Sequence, residues 1–558
     1  MKNFLSLFKS KAVRITGIFM LCGILAGLIL KPDASPYFEI AKNLDVFASL
    51  YREVNAYYVE DVEPYKLIKK GIDAMLESLD PYTNFIPEEE IEDFRFVTTG
   101  EYGGIGAVIS EQDNDIIILE PYEDSPALKA GLEAGDKILE VDGKSTKGKT
   151  TNDISKILKG QPGTDVTLTI QKFIDKKTIK VPVTREEIKI DNVAYQCMLD
   201  SNTAYINLKG FTQKASREVK DAFTTLKDNG AKKLILDLRD NPGGLLHEAV
   251  NISNIFLQKG REIVSTRGKV KEWDKVYEGL NTPVDIDIPM VVLINRGSAS
   301  ASEIISGVIQ DYDRGIIIGE RSFGKGLVQT SRPLSYKAQL KVTTAKYYTP
   351  SGRCIQAVDY AHRNEDGSVG KIPDSLRVPF KTKNGRVVYS GGGIEPDITI
   401  ERKPLSDLAS VLILKRMIFN YALKFHKEHS TIKPVKDFVL DENDYKQFRN
   451  WLVENKFEYQ NIPEREVEQF KTRLEKLSVS NVVKETIETL EKNIKANKND
   501  EYEINKEEIK QLLKEEIARL YYYQKGYTEA TLKNDQCILS SKEILNNADR
   551  YSALLKGK

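Results

Sequence analysis

Histidine and cysteine are scarce in this chain: 558 residues contain only four of each (His247, His362, His426, His429; Cys22, Cys197, Cys354, Cys537). The cysteines are too scattered for a C-x-x-C redox or zinc pair, and no H-E-x-x-H run occurs, so a dense disulfide frame and a catalytic zinc are both disfavoured. Any enzyme here is expected to work without metal or cofactor. Charge of one sign is also missing. Lys+Arg and Asp+Glu each total 82, which leaves no global field to hold a polyanion and argues against nucleic acid as a ligand. With 41% apolar and 29% charged residues, the composition is that of a folding chain, and the length suggests about three or four domains.

Long apolar runs are rare too. One stretches from Ile15 to Leu30, follows Lys2, Lys9, Lys11 and Arg14, and is ended by Lys31-Pro32-Asp33. At ~1.5 Å per residue it would make a helix of roughly 24 Å, short of the ~30 Å hydrocarbon core unless Arg14 snorkels. It reads as an export signal. No A-x-A site follows, and Phe19-Met20-Leu21 before Cys22 is a poor lipobox, which favours a retained inner-membrane anchor over a cleaved signal peptide while leaving both open. The remainder is expected in the periplasm or otherwise outside the cytoplasm, touching membrane only through this segment.

After the run, Ile40, Leu44, Phe47, Leu50, Tyr51 and Val54 recur at helical spacing, and a second helical stretch covers Leu67 to Leu79 before Asp80-Pro81 breaks it. Both read as a packing or pairing module. Next come Gly104-Ile105-Gly106-Ala107, the strand-like Ile116 to Leu119, Gly135-Asp136-Lys137-Ile138-Leu139 and the turn Asp142-Gly143. Residues 101–180 resemble a PDZ domain, in which a Gly-rich loop offers N–H groups to a peptide's terminal carboxylate while the peptide adds as a strand. Gly104, Ile105, Gly106 and Ala107 stand where that loop belongs.

From about Asp191 to Ile400, short Val/Ile/Leu strands alternate with helical patterns in α/β order. Three segments carry candidate chemistry. Strand Lys233 to Leu238 leads into Arg239-Asp240-Asn241-Pro242-Gly243-Gly244, whose glycines can turn N–H groups outward to an anion. Strand Pro289 to Asn295 leads into Gly297-Ser298-Ala299-Ser300-Ala301-Ser302-Glu303 and then an apolar helix, placing small hydroxyl residues where free helix N–H groups would stabilise an oxyanion. By sequence pattern alone, ordinary N-capping with a partial capping box is the commoner explanation of this second segment. The third segment, Gly319 to Gln329, mimics a P-loop, but Gly326 replaces the Mg²⁺-holding hydroxyl and the following residues read as extended, which excludes nucleotide. Lys325 between two glycines, near Phe323, Leu327 and Val328, could sit desolvated, and desolvation lowers a lysine pKa from about 10.4 towards neutrality, as a general base requires.

Taken together the series resembles the carboxyl-terminal processing (tail-specific) peptidases. Its members in order are Ser78-Leu-Asp-Pro81, the PDZ phrases, Leu238-Arg-Asp-Asn-Pro-Gly-Gly244, Gly297-Ser-Ala-Ser-Ala-Ser-Glu303, Phe323-Gly-Lys-Gly-x-Val-Gln329, Tyr347-Tyr-Thr-Pro-Ser-Gly352 and Gly393-Ile-Glu-Pro-Asp397. The resemblance implies a multidomain α/β chain. Residues 1–31 would be the signal or anchor, 37–98 an N-terminal helical domain, 99–184 a PDZ domain, 185–402 an α/β crotonase/Clp-like serine peptidase core, and 403–558 a C-terminal α-helical domain. It further implies Ser300 as nucleophile, Lys325 as base, Gln329 to orient that lysine, and an oxyanion hole from Ala301 and either Gly243 or Gly244. Substrates would be proteins or peptides with free, apolar C-terminal tails; a homo-oligomer is left open. One departure is Gln171-Lys172, where relatives often carry Arg; if that Arg signals substrate binding, regulation here differs. His247, close after the glycine pair, makes a Ser–His pair conceivable, but the resemblance treats it as an ordinary helix residue. The rival reading is a non-catalytic PDZ-containing envelope adaptor, which would have no need of Ser300, Lys325 and Gln329 together.

The resemblance fades beyond Arg402, where stripes such as Val483, Ile487, Leu490, Ile494 and Ile509, Leu512, Leu513, Ile517, Leu520 read as helix cores with solvated charged faces. Residues 493–505 read as a linker or helix break, and Tyr521-Tyr522-Tyr523 as a candidate exposed contact patch.

Overall fold

The computed structural model describes residues 36–474 and 481–557, so the expected export segment and Cys22 lie outside the described residues. No helix among the described residues is long and apolar enough to cross a membrane. The chain divides into two compact units, the first ending at Phe85. In the first, α1 (Pro36–Tyr57) and α2 (Pro64–Glu77) form as their periodicity demands, with Pro64 preset for the first turn of α2. Tyr51 closes the connection by donating to the Pro64 carbonyl at 2.8 Å. Asp80 then ends the helical run with an Asx-type turn, accepting from the N–H groups of Tyr82 (2.8 Å) and Thr83 (2.9 Å). Ile40, Leu44, Phe47 and Leu50 stay exposed along α1.

The second unit opens with α3 (Ile91–Thr99), stopped by Gly100 in the left-handed region, and β1 (Glu101–Gly104). A twisted antiparallel sheet follows: β2 (Ala107–Gln112), β3 (Asp115–Pro121), β4 (Lys137–Val141), β5 (Asp165–Gln171) and β6 (Thr178–Thr184), hydrogen-bonded in that order. Helix α4 (Thr151–Leu158), opened by a Thr150/Asp153 capping box, packs its Ile154 and Leu158 into this PDZ core. Strand β2 is the sheet edge. Lys172, at the departure noted above, bonds Asp136 (2.9 Å) and Glu133 (2.7 Å). Strand β7 (Glu186–Lys189) then returns to pair with β1.

The next domain is built on a six-stranded sheet with the order β8 (Val193–Met198), β9 (Thr203–Leu208), β10 (Lys233–Asp237), β11 (Met290–Ile294), β12 (Ile316–Gly319) and β15 (Ile398–Thr399). All neighbours are parallel except β8 with β9. Strands such as Met290 to Ile294, buried at every position, need cover on both faces. On one face Ile206, Leu236, Val292 and Ile317 meet α5 (Ala215–Asp228), α6 (Leu246–Phe256) and α7 (Ala301–Asp311) through Phe223, Phe256 and Ile305. The alternate residues Tyr205, Ile235, Leu293 and Ile318 meet Leu532, Ile538, Ile544 and Leu545 from the C-terminal region. A β-ribbon of β13 (Leu327–Pro333) and β14 (Gln339–Tyr348) leaves the core after β12.

Among the described residues, the secondary structure of the C-terminal region is helical: α8 (Asp407–Leu414), α9 (Met417–Glu428), α10 (Glu442–Glu454), α11 (Ile462–Leu474), α12 (Asn481–Ile504), α13 (Lys506–Leu532), α14 (Gln536–Asn546) and α15 (Ala548–Leu555). Residues 493–504 belong to α12 and the break falls at Asn505, where the sequence reading placed a linker. Lys and Glu are good helix formers and neither Gly nor Pro interrupts the stretch, so polarity alone does not end the helix. The three consecutive tyrosines meet the expectation of an exposed patch only in part: Tyr522 is exposed, while Tyr521 and Tyr523 are half-buried. Tyr521 and Tyr522 donate to the carbonyls of His429 and Ile432, an internal contact, and Tyr523 marks a kink within α13. Phe448, fully buried, stacks edge-on against Tyr421 at 4.9 Å in the core of this domain. Phe448→Ala is expected to lower the unfolding free energy by about 3–5 kcal/mol, read from denaturant melts.

Candidate active site

Parallel strands place their loops at one carboxyl edge, and the three segments singled out in the sequence meet there. The turn after β11 carries Ser300 with φ 54° and ψ −110°, a region non-glycine residues rarely enter. Surrounding bonds hold it. The Ser300 N–H donates to Glu303 Oε2 (2.8 Å), the Ala299 N–H to the Asn241 carbonyl (3.0 Å), and the Tyr347 hydroxyl to the Ser300 carbonyl (3.2 Å). The turn has the outline of a capping box, yet the Glu303 N–H is taken by the Ser300 carbonyl at 2.9 Å, so the Ser300 hydroxyl is not needed to cap α7. Ser300 is half-buried.

Lys325 follows β12 on a loop clamped at both flanks. Gly324, with φ 88°, lies so close to Ala357 that a Cβ would come within 2.4 Å of its side chain. The Gly326 N–H donates to Gln356 Oε1 at 2.8 Å. The Lys325 N–H donates to Glu303 Oε2 (2.9 Å), the same oxygen that receives the Ser300 N–H, so the two backbone nitrogens are separated by no more than the sum of 2.8 and 2.9 Å. Glu303 Oε1 accepts from the Ser322 hydroxyl (2.5 Å) and the Gly324 N–H (2.7 Å). Glu303 is fully buried. Burial pushes its carboxyl above the ordinary range, against the pull of the Ser322 hydroxyl and the Lys325, Ser300 and Gly324 N–H groups. Lys325 itself is half-buried, Leu327 beside it is buried, and Phe323 is 50% exposed, so the apolar surroundings expected for the lysine are only partly present.

Gly243 and Gly244 complete the cluster. A Cβ on Gly243 would lie 2.6 Å from the Ala299 carbonyl and 2.8 Å from both the Ala301 nitrogen and Ser300 Cβ, so only glycine lets this loop touch the serine turn. The Gly243 N–H is spent on Asn241 Oδ1 at 2.9 Å. Gly244 bridges to Phe211, whose carbonyl receives the Leu245 N–H at 2.8 Å. Gln329, on β13 beside a bulge, donates to Thr343 Oγ1 at 3.2 Å. His247 is exposed beside Glu248, outside this cluster.

In the PDZ domain the carbonyls of Ile105 and Gly106 point inward to the N–H groups of Ala127 (2.8 Å) and Tyr122 (2.9 Å). A trans peptide directs its N–H opposite to its carbonyl, so the Gly106 and Ala107 N–H groups point the other way. Gly106, with φ 72°, passes so close to Ser125 that a Cβ would lie 2.6 Å from that side chain. Gly104 is buried at the end of β1, and Ile105 is 3% exposed.

Glu303 and Asn241 escaped the sequence reading as site residues, the first because it looked like half a capping box. Asn241 is fully buried. Its Nδ2 donates to the Leu208 carbonyl (2.8 Å) and its own carbonyl receives the Ser302 hydroxyl (2.9 Å), tying the glycine loop to the serine turn. Glu303→Gln would set an NH₂ against two of four donors, so a loss of about 3 kcal/mol in unfolding free energy is expected, together with peptidase turnover at least about tenfold lower in protein that still folds. Thermal melts and turnover on one sample check both.

Family models match along most of the second unit: peptidase family S41 over residues 202–361, a PDZ domain over 117–172, and "Probable PDZ-protease, C-terminal helical domain" over 408–545. The chain is 38% identical over 351 residues to a carboxy-terminal-processing protease of Bartonella bacilliformis, covering 62% of this chain and 79% of that one. It is 37% identical over 317 residues to a probable CtpA-like serine protease of Staphylococcus aureus, covering 56% of this chain and 62% of the relative, less than two thirds of its length. Among solved structures, a photosystem II D1 C-terminal processing protease aligns at 28% identity with a TM-score of 0.33, covering 63% of this chain and 92% of that one. The long match to the Bartonella relative, and family matches that follow the same order of PDZ, peptidase and helical domains as the fold, make this chain a serine-type endopeptidase of peptidase family S41, among the PDZ-bearing carboxy-terminal-processing proteases.

Proposed function

We propose that the protein cleaves polypeptides with a Ser300–Lys325 dyad after its PDZ domain captures a free, apolar C-terminal tail. The observation that carries this reading is the single Glu303 oxygen shared by the Ser300 and Lys325 N–H groups, which fixes nucleophile and base on one buried anchor. Lys325, as the neutral amine, takes the proton from the Ser300 hydroxyl while the alkoxide attacks the scissile carbonyl. The oxyanion is received by the Ala301 N–H at the start of α7 and, because Gly243 is already committed to Asn241, by the Gly244 N–H. The lysine ammonium then protonates the leaving amine, and water, deprotonated by the same lysine, hydrolyses the acyl-enzyme. Gln329 would orient the lysine after turning from Thr343.

The tail is read by Gly104 to Ala107 and by strand addition along the β2 edge. Partly buried Ala107, Ile109 and Ile157, packed on the PDZ core, support the preference for apolar side chains. The basic and then apolar N-terminus supports a site of action outside the cytoplasm.

The test uses one model protein with either a free apolar tail or the same tail amidated, followed by intact-mass spectrometry. Cleavage of the free-tailed protein is expected to exceed that of the amidated one by at least about tenfold, since the amide removes the charge the loop receives. Ser300→Ala and Lys325→Ala are each expected to lose at least about a thousandfold in turnover while binding the tail with unchanged affinity. Tail binding without cleavage by the unmodified protein would favour the adaptor reading.

A further inference from the structure

The loop that brings Gly243 against the serine turn begins at Arg239, and Arg239 is gripped from two domains. Its Nε donates to Asp237 Oδ1 (2.9 Å), its Nη2 to Asp237 Oδ2 (2.6 Å), and its Nη1 pairs with Asp535 Oδ2 (2.7 Å). Asp237 ends β10 inside the peptidase core, while Asp535 belongs to the C-terminal helical region, where it is the N-cap of α14. The other Asp535 oxygen accepts the Cys537 (2.9 Å) and Ile538 (3.2 Å) N–H groups, so one carboxylate both starts a helix and holds the guanidinium. The Tyr205 hydroxyl donates to Asp237 Oδ2 at 2.8 Å from below. Burial alone would raise the Asp237 carboxyl, but the Arg239 charge and its hydrogen bonds outweigh that and hold it below the ordinary range, so the pair stays ionised.

The rest of the loop has anchors of its own within the peptidase core: the Leu238 carbonyl receives the Ser298 hydroxyl (2.8 Å), and Asn241 Nδ2 donates to the Leu208 carbonyl (2.8 Å). Asp240 sits at φ 57° and exchanges bonds with Asn295 (2.9 and 2.8 Å), the Arg239 carbonyl receives the Lys209 ammonium (3.2 Å), and Asn241 follows. The Arg239 fork stands two residues before Asn241, which carries the Gly243 N–H and meets the serine turn.

We propose that Asp535 is a positioning residue for the oxyanion loop, acting through Arg239, so that the C-terminal helical region completes the active site from outside the peptidase core. The inference rests on the reading of Ser300 as nucleophile. Asp535→Asn is the discriminating variant: asparagine is as good an N-cap as aspartate and keeps α14, but removes the anion facing Arg239.

In the full chain, Asp535→Asn is expected to lower kcat on a tail-bearing protein about tenfold, with KM and the anisotropy-measured affinity for a fluorescent free-tailed peptide within about twofold of the parent. A small fluorophosphonate, which reacts with the serine without needing the PDZ domain, should label Ser300 more slowly by the same factor. Asp535→Glu, which restores the anion, should recover most of both rates. Parent-like kcat and labelling in Asp535→Asn would overturn the proposal. So would a loss matched by a lower melting temperature and weaker tail binding, which would mark a purely structural role. Labelling of the parent chain at a residue other than Ser300, mapped by peptide mass, would overturn the nucleophile reading and the inference with it.

Discussion

One buried carboxylate carries the site. Glu303 has no solvent contact, and removing a carboxylate from water is costly unless its lone pairs are filled. Here four donors fill them, three backbone N–H groups and one hydroxyl, drawn from the serine turn and the lysine loop. Neither segment belongs to the sheet. Ser300 occupies a strained backbone region, and the lysine loop, held on Gln356 and Ala357, has no ladder of its own. Without this carboxylate, the Ser300 and Lys325 N–H groups would lose their shared acceptor, leaving the Phe323 N–H on the Ser298 carbonyl (3.0 Å) as the backbone bond between the two segments.

The sheet makes such an anchor usable because it is covered on both faces. Alternate residues of β9 to β12 face α5 to α7 on one side and the last helices of the chain on the other, so the carboxyl edge of the sheet stays rigid while its loops carry the polar groups. The C-terminal helices are therefore a structural layer of the catalytic domain as well as a helical domain in their own right. The Met290–Tyr551 contact, in which the tyrosine hydroxyl meets the backbone of β11, sets α15 against the first residue of the strand that leads to Ser300.

What could be read from sequence was local. Ser300, Lys325 and the Gly243-Gly244 pair each sit in a short run whose residue types announce a turn, and the PDZ loop does the same through Gly104 and Gly106. What escaped was either non-local or ambiguous within its own run. Glu303 bonds residues 19 to 22 positions ahead, yet next to Ser300 it matches an ordinary helix cap. Arg239 and Asp535 stand nearly three hundred positions apart, and nothing near either residue marks the other. The polar stretch 493–505 reads as a linker or helix break, and a break is there, but only at its last residue, Asn505; the rest stays helical because helix propensity depends on backbone and rotamer cost, which is small for Lys and Glu. Gln329 shows the opposite limit: the resemblance places it one strand step beyond Lys325 to orient that lysine, but the bulge between Val328 and Gln329 and its bond to Thr343 are invisible in the pattern.

The PDZ groove and the glycine loop are joined by an unbroken series of contacts. Buried Arg185 takes the carbonyls of Ile157 (2.9 Å) and Leu158 (3.1 Å) at the end of α4, where the macrodipole favours a cation, and it sits between β6 and β7. Strand β7 leads to Asn192, whose Oδ1 receives the N–H (2.8 Å) and hydroxyl (2.9 Å) of Thr212, and the neighbouring Phe211 bridges to Gly244. A contact series transmits energy only if one of its members has two arrangements that a bound tail and the active site both bias. Arg185 is a poor switch, since all of its recorded bonds are made to groups with fixed backbone positions or short side chains. The opposite face of the PDZ sheet meets the helical region. Ile117 and Leu119 pack there on Phe419 and Leu423, and Arg416 reaches Ser110 on the edge strand itself. An added peptide strand would lie beside that same edge, whose Ser110 is held by Arg416 of the helical region, the region whose Asp535 also holds Arg239.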